Sequence, residues 1–504
     1  MTATIGRRGL LATAAAAPLL PARSYAQAGE LVMGLVNFPP NIRPWENTGS
    51  SQAAVKLALH RGLLSYTPEG VLQPEMAEKW TVESPTVHHF RLRAGMRFHN
   101  GDAVTAEDAK YTLEAIPAAR STAYLRSEYG VIEKVEVLNP LELRVTLKEP
   151  SAPFPHLLAS YHAPVISQKA MAADANNPAG AGPFMMESLE RGSSITVRRF
   201  DGYYRPGLPK LARVKFQAYA DENLRVAALE AGNVHIGEGV PWQKMEALEA
   251  NPRVRLDTVV GPFMYLTFNV RSGPFANPLL RQAVAHAIRR EDVVRIAHFG
   301  RGETLEGLPF GGELGRSAAN RLWPYDPAKA KALMAQAGHP NGFEATLLST
   351  SSPTLHTMTA EVVQANLAEI GIKVDLQLPD WPTRVGLGNR GQYQFAIMGS
   401  VGAYHDPDAV QTFISGPPAY ARSYGFESPR VLALLAEGRR ELDPEKRAAI
   451  YQRLMQVAQE EVPIVGLSWR AQAFGLQRSV TGFRNMDGAL TFYSPITLET
   501  TELG

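Results

Sequence analysis

The 504-residue sequence contains no cysteine, and its charges nearly cancel, with 51 lysine and arginine residues against 49 aspartate and glutamate residues. The absence of cysteine excludes disulfides, thiolate metal sites, a cysteine nucleophile and the lipid-modified cysteine that anchors some exported proteins. A nearly neutral chain also offers no electrostatic basis for binding nucleic acid or an anionic membrane. The sequence therefore predicts no nucleic-acid partner.

Familiar catalytic and cofactor motifs are also missing. The chain has no G-x-S-x-G nucleophile elbow, no H-E-x-x-H pair, no G-x-x-x-x-G-K-[ST] phosphate loop and no complete G-x-G-x-x-G. Each of these motifs places reactive or phosphate-binding groups at a fixed spacing. We therefore expect no cofactor and no metal site, and we expect that the protein is not an enzyme.

The first 28 residues have the composition of a signal peptide for export. Arg7 and Arg8 precede an apolar span at about residues 10–20, and the segment has a small-x-small ending at Ala28. The span is too short to anchor the chain in a bilayer, and the arginine pair favours the twin-arginine route over the alternative Sec route. Cleavage after Ala28 leaves 48 basic and 49 acidic residues. We expect a soluble periplasmic protein without a lipid anchor.

A strand, a turn and a capped helix are predicted between Phe90 and Ile116. The polar turn is His99-Asn100-Gly101-Asp102, whose residues tolerate the backbone angles of a reversal. Thr105 is a good N-cap, and Asp108 lies at the partially positive start of the helix. The residues predicted to be buried have strand or helix periodicity: Phe90, Leu92, Ala94, Met96, Phe98, Ala109, Leu113 and Ile116.

Strands and helices alternate along the rest of the chain, which predicts a mixed α/β protein. About 475 residues after the leader exceed what one hydrophobic core usually supports, so we expect at least two domains. Asn277, Asp326 and Asp443 each precede a proline and predict helix starts. Further predictions are strands at 31–36, 345–349, 372–378 and 464–467, helices at 51–63, 358–370 and 444–461, and a hairpin formed by 131–138 and 141–147.

The sequence of the 90–116 segment resembles a family signature, LR-x-G-x-x-F-H-x-G-x-x-x-T-A-x-D-x-x-x-x-L. This signature is typical of the extracytoplasmic solute-binding proteins of the oligopeptide, dipeptide and nickel ABC importer family, which are also called the family 5 extracellular solute-binding proteins. Other segments match family patterns in the family's order, so the resemblance covers essentially the whole chain after the leader. These segments are 266–269, 274–275, 280–283, 325–327, 371–374 and 406–408.

The resemblance implies a two-lobed periplasmic binding protein fold (type II, Venus-flytrap) with an extra subdomain on the first lobe. Lobe I would comprise residues 29–50, 185–265 and 479–504. The extra subdomain would comprise 51–184 and lobe II 266–478. The implied function is the periplasmic substrate-binding component of an ABC-type importer. It would hold a peptide-like or other small polar solute between the lobes and deliver it, as a monomer, to permease subunits in the inner membrane.

The loop after a short predicted strand at Phe395 is the main predicted ligand site, because ligands bind at the carboxyl ends of such strands. Peptide-binding members of the family place an aspartate three residues before an Asp-Pro dipeptide, where it holds the ligand's ammonium group. Here that position is Ala403, counted from Asp406. We therefore expect Tyr404 and His405 to bind a sugar, a modified peptide or an acidic metabolite. If the alignment is shifted by one or two residues, Asp406 or Asp408 becomes the anion.

Other predicted ligand contacts lie after other strands. Trp381 would supply an aromatic wall and Arg384 a carboxylate clamp, since guanidinium groups bind carboxylates through two hydrogen bonds. Phe38, Asn41 and Trp45 follow the first strand. The alternatives are structural. In these alternatives Trp381 and Trp45 belong to the core, Arg384 forms a surface salt bridge, and His405 faces solvent.

Two other functions compete with import. A secreted hydrolase would use Asp406, Asp408 or Glu427 as acid and base, although carboxylates without a perturbing environment carry little information. A sensory module would present its ligand to a membrane receptor. Nickel chelation is disfavoured because Asp408 occupies the position where a histidine would support it.

Overall fold

The computed structural model describes residues 29–351, 354–416 and 418–504. The predicted signal peptide, residues 1–28, lies outside the described residues. No helix of the described ranges is long and apolar enough to cross a membrane.

The described elements are mixed α/β. Their strands are β1 Glu30–Leu35, β2 Leu64–Tyr66, β3 Leu72–Pro74, β4 Ala77–Ser84, β5 Val87–Leu92, β6 Ile132–Asn139, β7 Glu142–Leu147, β8 Phe184–Glu190, β9 Ser194–Arg199, β10 Arg213–Ala218, β11 Ile236–Gly237, β12 Val254–Phe268, β13 Gly302–Thr304, β14 Phe343–Leu348, β15 Ile372–Gln377, β16 Phe395–Ser400, β17 Val465–Gln477, β18 Val480–Thr481 and β19 Glu502–Leu503.

The α-helices are α1 Ser50–Leu59, α2 Ala106–Ala115, α3 Phe154–Leu158, α4 Gln168–Ala173, α5 Glu222–Ala231, α6 Trp242–Glu249, α7 Pro278–Ala287, α8 Arg290–Asp292, α9 Gly312–Arg316, α10 Pro327–Gln336, α11 Thr354–Ala368, α12 Trp381–Asn389, α13 Gln411–Ile414, α14 Pro429–Arg440 and α15 Pro444–Glu461. A π-helix covers Val293–Ala297, and the longest 3-10 helix covers Gly488–Glu499.

One sheet of eleven strands runs through both lobes, in the order β15-β14-β16-β12-β17-β11-β1-β10-β9-β8, with β13 also paired to β17. The two long strands β12 and β17 pair antiparallel in the middle and connect the two lobes. On one side β1 pairs in parallel with β10 and β11, and on the other β14 pairs in parallel with β15 and β16. The central antiparallel pair therefore separates the two sets of parallel strands.

A second sheet, β4-β5-β7-β6, forms the extra subdomain with α2. The predicted cap of α2 is confirmed, since the Thr105 amide donates to Asp108 Oδ2 at 2.8 Å. Most of the predicted buried parity is also confirmed, but β5 ends at Leu92 and Ala94 is exposed. The reason is a tight turn in which Gly95 has a φ of 76°.

The predicted hairpin, the β14-α11-β15 crossover and the three helix starts in which a cap residue precedes a proline are confirmed. The strand predicted at 464–467 is present but is longer than predicted, because β17 runs from Val465 to Gln477. Its second half alternates apolar and polar residues, as in Trp469-Arg470-Ala471-Gln472, and therefore lacks the continuous apolar run that predicts a buried strand. This extension brings Arg470 into the middle of the molecule.

Candidate functional site

A cavity of about 740 Å³ lies between the two lobes. It follows the carboxyl ends of β1, β10, β11 and β16, and β17 forms the wall between the lobes. This is where an α/β sheet binds ligands. Its lining includes Val36, Asn37, Ser50, Asp221, Glu222, Arg225, Gly239, Trp242, Leu355, His356, Met358, Gly399, Arg470, Gln472 and Phe492.

Arg225 organises the lobe I wall of this cavity. Its Nη1 donates to the carbonyl of Tyr219 at 2.8 Å and its Nη2 to the carbonyl of Gly239 at 2.9 Å. The arginine thus joins the loops that follow β10 and β11. Burial lowers the pKa of Arg225, and the nearby Glu238 partly opposes this effect. Gly239 has a φ of 63°, and a Cβ there would lie 2.8 Å from Val36, so the position requires glycine.

Arg470 projects from β17 into the same cavity. Its Nη1 donates to Gln472 Oε1 at 2.9 Å, and its buried Nε has no hydrogen-bond partner. Within the described ranges Arg470 forms no ion pair. Because no acid compensates for its burial, the pKa of Arg470 falls to about 10. The cavity wall therefore carries a guanidinium group without a counter-charge.

His356, on α11, lines the cavity opposite lobe I and is 6% exposed. Neither of its ring nitrogens has a hydrogen-bond partner among the described residues. Burial, together with the charges of Arg384 and Arg470, lowers its pKa to about 3. The neutral imidazole of this lining residue consequently holds one donor and one acceptor that are buried and without a partner.

The loop predicted as the main ligand site lies beyond Gly399, at the end of β16. Ala403 and Tyr404 are 5% and 2% exposed and pack into the hydrophobic core of the extra subdomain. Tyr404, His405 and Asp406 line a separate cavity of only about 40 Å³. The His405 ring contacts Tyr66 edge-on at 5.9 Å, and burial lowers its pKa. Their predicted contacts with a ligand stay predictions.

The two aspartates of this loop are paired with arginines from the helices behind it. Arg447 donates to both carboxylate oxygens of Asp406, at 2.7 and 2.5 Å. Asp408 accepts from Arg439 Nε at 3.2 Å and from the Tyr404 hydroxyl at 2.9 Å. Burial raises the pKa of Asp408 against the lowering effect of Arg439. Neither carboxylate is free to neutralise an ammonium group on a ligand.

Trp381 and Arg384 lie on α12, next to His356. Trp381 is 36% exposed, and its ring contacts the His356 ring at 5.6 Å. Arg384 is fully buried, with its guanidinium 5.2 Å from the Trp381 ring and 5.8 Å from the Tyr420 ring. Two of its nitrogens, Nε and Nη1, have no partner in the described part of the chain. The alternative of a surface salt bridge for Arg384 is therefore wrong.

The three residues predicted after β1 are engaged elsewhere. Phe38 packs against the lobe I core, and Asn41 holds its own loop through hydrogen bonds to Glu46 and Gln52. Trp45 donates to the carbonyl of Pro164 at 3.2 Å and packs on the subdomain core. The cavity is lined instead by their neighbours Val36 and Asn37.

Several lining residues were missed by sequence reasoning, notably Arg470, His356, Arg225 and Trp242. The available signal was weak. Arg470 and Gln472 alternate with apolar residues in β17, and an arginine in such a pattern needs a polar surface to contact. His356 and Arg225 lie near helix starts, where polar residues are common. Nothing in local sequence brings these four residues together.

No group of three His, Asp or Glu side chains in 29–351, 354–416 and 418–504 is placed to hold a metal ion. Glu427, the third carboxylate proposed for hydrolysis, is largely exposed and 3.6 Å from Arg271. With Asp406 and Asp408 already ion-paired, the three carboxylates do not form an acid–base pair.

Comparison with known proteins identifies relatives over nearly the full length. The model of bacterial extracellular solute-binding proteins, family 5 Middle, matches residues 71–421. The glutathione-binding protein GsiB of Escherichia coli is 26% identical over 500 residues, covering 96% of this chain and 97% of the relative.

Two solved structures extend this comparison. The periplasmic binding protein AgaA of A. tumefaciens, in complex with agropinic acid, is 37% identical with a TM-score of 0.87, covering 94% of this chain and 99% of that chain. DppA of Helicobacter pylori, in complex with the peptide STSA, is 22% identical with a TM-score of 0.82, covering 94% and 98%. At that identity the second likeness concerns the fold alone.

Proposed function

This chain belongs to family 5 of the bacterial extracellular solute-binding proteins, the binding components of ABC-type importers, and we propose that its solute is a small polar acid. The acid would occupy the cavity between the lobes, and closure of the lobes would present it to permease subunits in the inner membrane. We place the protein in the periplasm as a monomer, exported through the predicted leader. Binding and closure need no covalent chemistry, so we propose no enzymatic activity.

The observation that carries this proposal is the chemistry of the cavity wall. The 740 Å³ space fits a small ligand. Its inner wall carries the unpaired Arg470 and the unpartnered His356. The relative AgaA, at 37% identity, was solved with an acid. A solute that bears a carboxylate accounts for the size of the cavity, for the two side chains without partners and for the acid bound by this relative.

The loop around Ala403 argues against plain peptides. A peptide's ammonium group needs a carboxylate, and burying it without one costs several kcal/mol. Ala403 has no charge, and Asp406 and Asp408 are occupied by Arg447 and Arg439. We therefore propose that the standard amine contact of peptide-binding relatives is not used here.

We also propose the lobe boundaries that the family resemblance implies.

We expect the mature protein to bind agropinic acid with a Kd of about 10 μM or better, and to bind the peptide STSA and glutathione with Kd values above about 1 mM. Isothermal titration calorimetry with the three compounds measures this directly. The compound is then recovered and analysed by mass spectrometry, and it should be unchanged. Turnover would contradict a binding role, and tight binding of STSA with no binding of the acid would contradict the proposed solute class.

Replacing Ala403 by aspartate tests the interpretation that this loop position is buried in an apolar core. Because Ala403 is buried in an apolar core, the new carboxylate has no counter-charge, and we expect a loss of about 3 kcal/mol in the free energy of unfolding. Chemical denaturation measures the loss, with Ala276→Asp as the control at an exposed turn position. If Ala403→Asp is as stable as its control, the position tolerates an unpaired charge and is not part of the apolar core, which would contradict this interpretation of the loop.

A further inference from the structure

Polar groups without partners lie at one end of the cavity or close to it. Arg470 and Arg384 both have unpartnered nitrogens, and His356 has two. His356 is within electrostatic range of both arginines. Among the described residues, neither arginine forms an ion pair with a carboxylate. Buried cations are normally paired, because leaving them unpaired is costly.

The acids of the opposite wall do not supply the missing charge. Asp221 caps α5, accepting from the amides of Asn223 and Leu224 at 2.8 and 2.9 Å. Glu238 is buried behind that wall, where it accepts from the Val36 amide and the Ser51 hydroxyl. These two acids and Glu222, which also lines the wall, partly offset the charge of Arg225, and no acid offsets that of Arg470. The deficit of negative charge is therefore confined to the side of β17 and α11.

We propose that Arg470 and His356 form an anion subsite, in which Arg470 binds a carboxylate of the solute and His356 donates a hydrogen bond to it. This inference rests on the proposed function, and it names the residues that recognise the acid. The guanidinium fork can present two parallel N–H groups to one carboxylate. Arg384 stays buried behind His356 and adds positive potential without touching the ligand.

The location on β17 gives this subsite a second property. β17 pairs with β12 and with β11, so it belongs to both halves of the sheet. His356 is carried by α11 in lobe II. An anion held by Arg470 and His356 together bridges the central strand pair and lobe II, and its binding favours the arrangement in which these two groups are close.

Calorimetry with agropinic acid and its methyl ester as probes tests the subsite. For the wild-type protein we expect the ester to bind about 100-fold more weakly than the acid. Arg470→Gln should weaken acid binding about 100-fold and leave ester binding almost unchanged, and Arg470→Lys should restore part of the loss. His356→Phe should weaken acid binding about 10-fold. Arg478→Met is the control, because Arg478 is an exposed arginine just after β17.

A second measurement needs no ligand. If Arg470 is kept unpaired for a solute, the shape-preserving change Arg470→Met should raise the midpoint of thermal unfolding of the unliganded protein by about 2 °C or more. Arg478→Met loses the hydrogen bond from Arg478 Nε to the Pro252 carbonyl at 2.6 Å, so it should not raise the midpoint.

The outcomes separate the two proposals. If the wild-type protein does not bind agropinic acid while Arg470→Met is stabilised, the proposed solute class fails and the anion subsite stands. If Arg470→Gln binds the acid within threefold of the wild-type affinity, the subsite is overturned whatever the solute. A lowered unfolding midpoint for Arg470→Met also overturns it, because the arginine would then be a structural residue.

Discussion

Glu499→Ala is expected to lower the free energy of unfolding by about 3–5 kcal/mol, the largest single effect that we predict. Glu499 ends the C-terminal 3-10 helix and is 5% exposed. It pairs with Arg61 at 2.8 Å and with Arg205, and the hydroxyl of Tyr203 donates to it at 2.8 Å. Its removal leaves buried guanidinium groups without sufficient negative charge.

The cost is large because four charges balance one another in this cluster. Arg205 and Arg61 both also contact Glu75, at 2.6 and 3.5 Å. The cluster thereby connects the C-terminal segment with the residues that follow α1 and β3. Removing one partner of a buried network costs much more than the network contributes relative to apolar residues.

Urea denaturation of Glu499→Ala, Glu499→Gln and the exposed control Glu502→Ala measures the effect. Glu499→Gln keeps hydrogen bonding but not charge, so it should fall between the other two. Although burial raises the pKa of Glu499, Arg61 and Arg205 hold it below the ordinary value. The contribution of Glu499 should therefore be present above about pH 4.5 and decline as the pH falls through its folded pKa. A loss below about 1 kcal/mol would contradict the role of the cluster.

Lys56→Met is expected to have an effect of similar size and opposite sign, a gain of about 3 kcal/mol at pH 7. Lys56 lies on α1 and is 1% exposed. Its ammonium group donates to the carbonyl of Glu46 at 2.8 Å and lies 5.5 Å from the Tyr161 ring. Burial lowers its pKa to about 7, with partial opposition from Glu46. Methionine removes the cost of burying the charge and loses only one hydrogen bond.

The pH dependence distinguishes this cause from simple repacking. Between about pH 7 and pH 10.5 the unfolded chain holds a proton on Lys56 that the folded chain does not, so wild-type stability rises with pH in this window. The advantage of Lys56→Met should therefore be greatest at pH 7 and vanish near pH 10.5. Lys244→Met, at an exposed position on α6, is the control. A difference between wild type and Lys56→Met that does not change with pH would contradict the explanation.

Local sequence was enough to predict elements whose signals are carried by adjacent residues. Asn277, Asp326 and Asp443 start their helices as expected, because a cap and a following proline act within a few residues. Local sequence predicts the strand, the turn and the helix of the 90–116 segment equally well, and this segment lies in the extra subdomain, away from the cavity. The family resemblance rests on the sequence of this segment and on the order of the later motifs.

The composition of the cavity could not be predicted in the same way. His356, Arg225 and Arg470 come from three segments more than a hundred residues apart, and only the crossing of β12 and β17 brings them to one space. Conversely, the loop at Ala403 to Asp408 follows the carboxyl end of a strand, which predicts a ligand site there. Two arginines on α14 and α15 neutralise its aspartates, and the subdomain core covers Tyr404.

The sequence by itself determined the fold class, the capped helices, the absence of thiol chemistry and the family, because each depends on composition or on contacts between near neighbours. The tertiary structure decided which charges are paired and which face the cavity. Electrostatic and hydrogen-bond energies depend on distance and burial, which residues far apart in the chain acquire only on folding. Arg384 and Arg470 became notable for this reason: folding buried their charges and placed no carboxylate beside them.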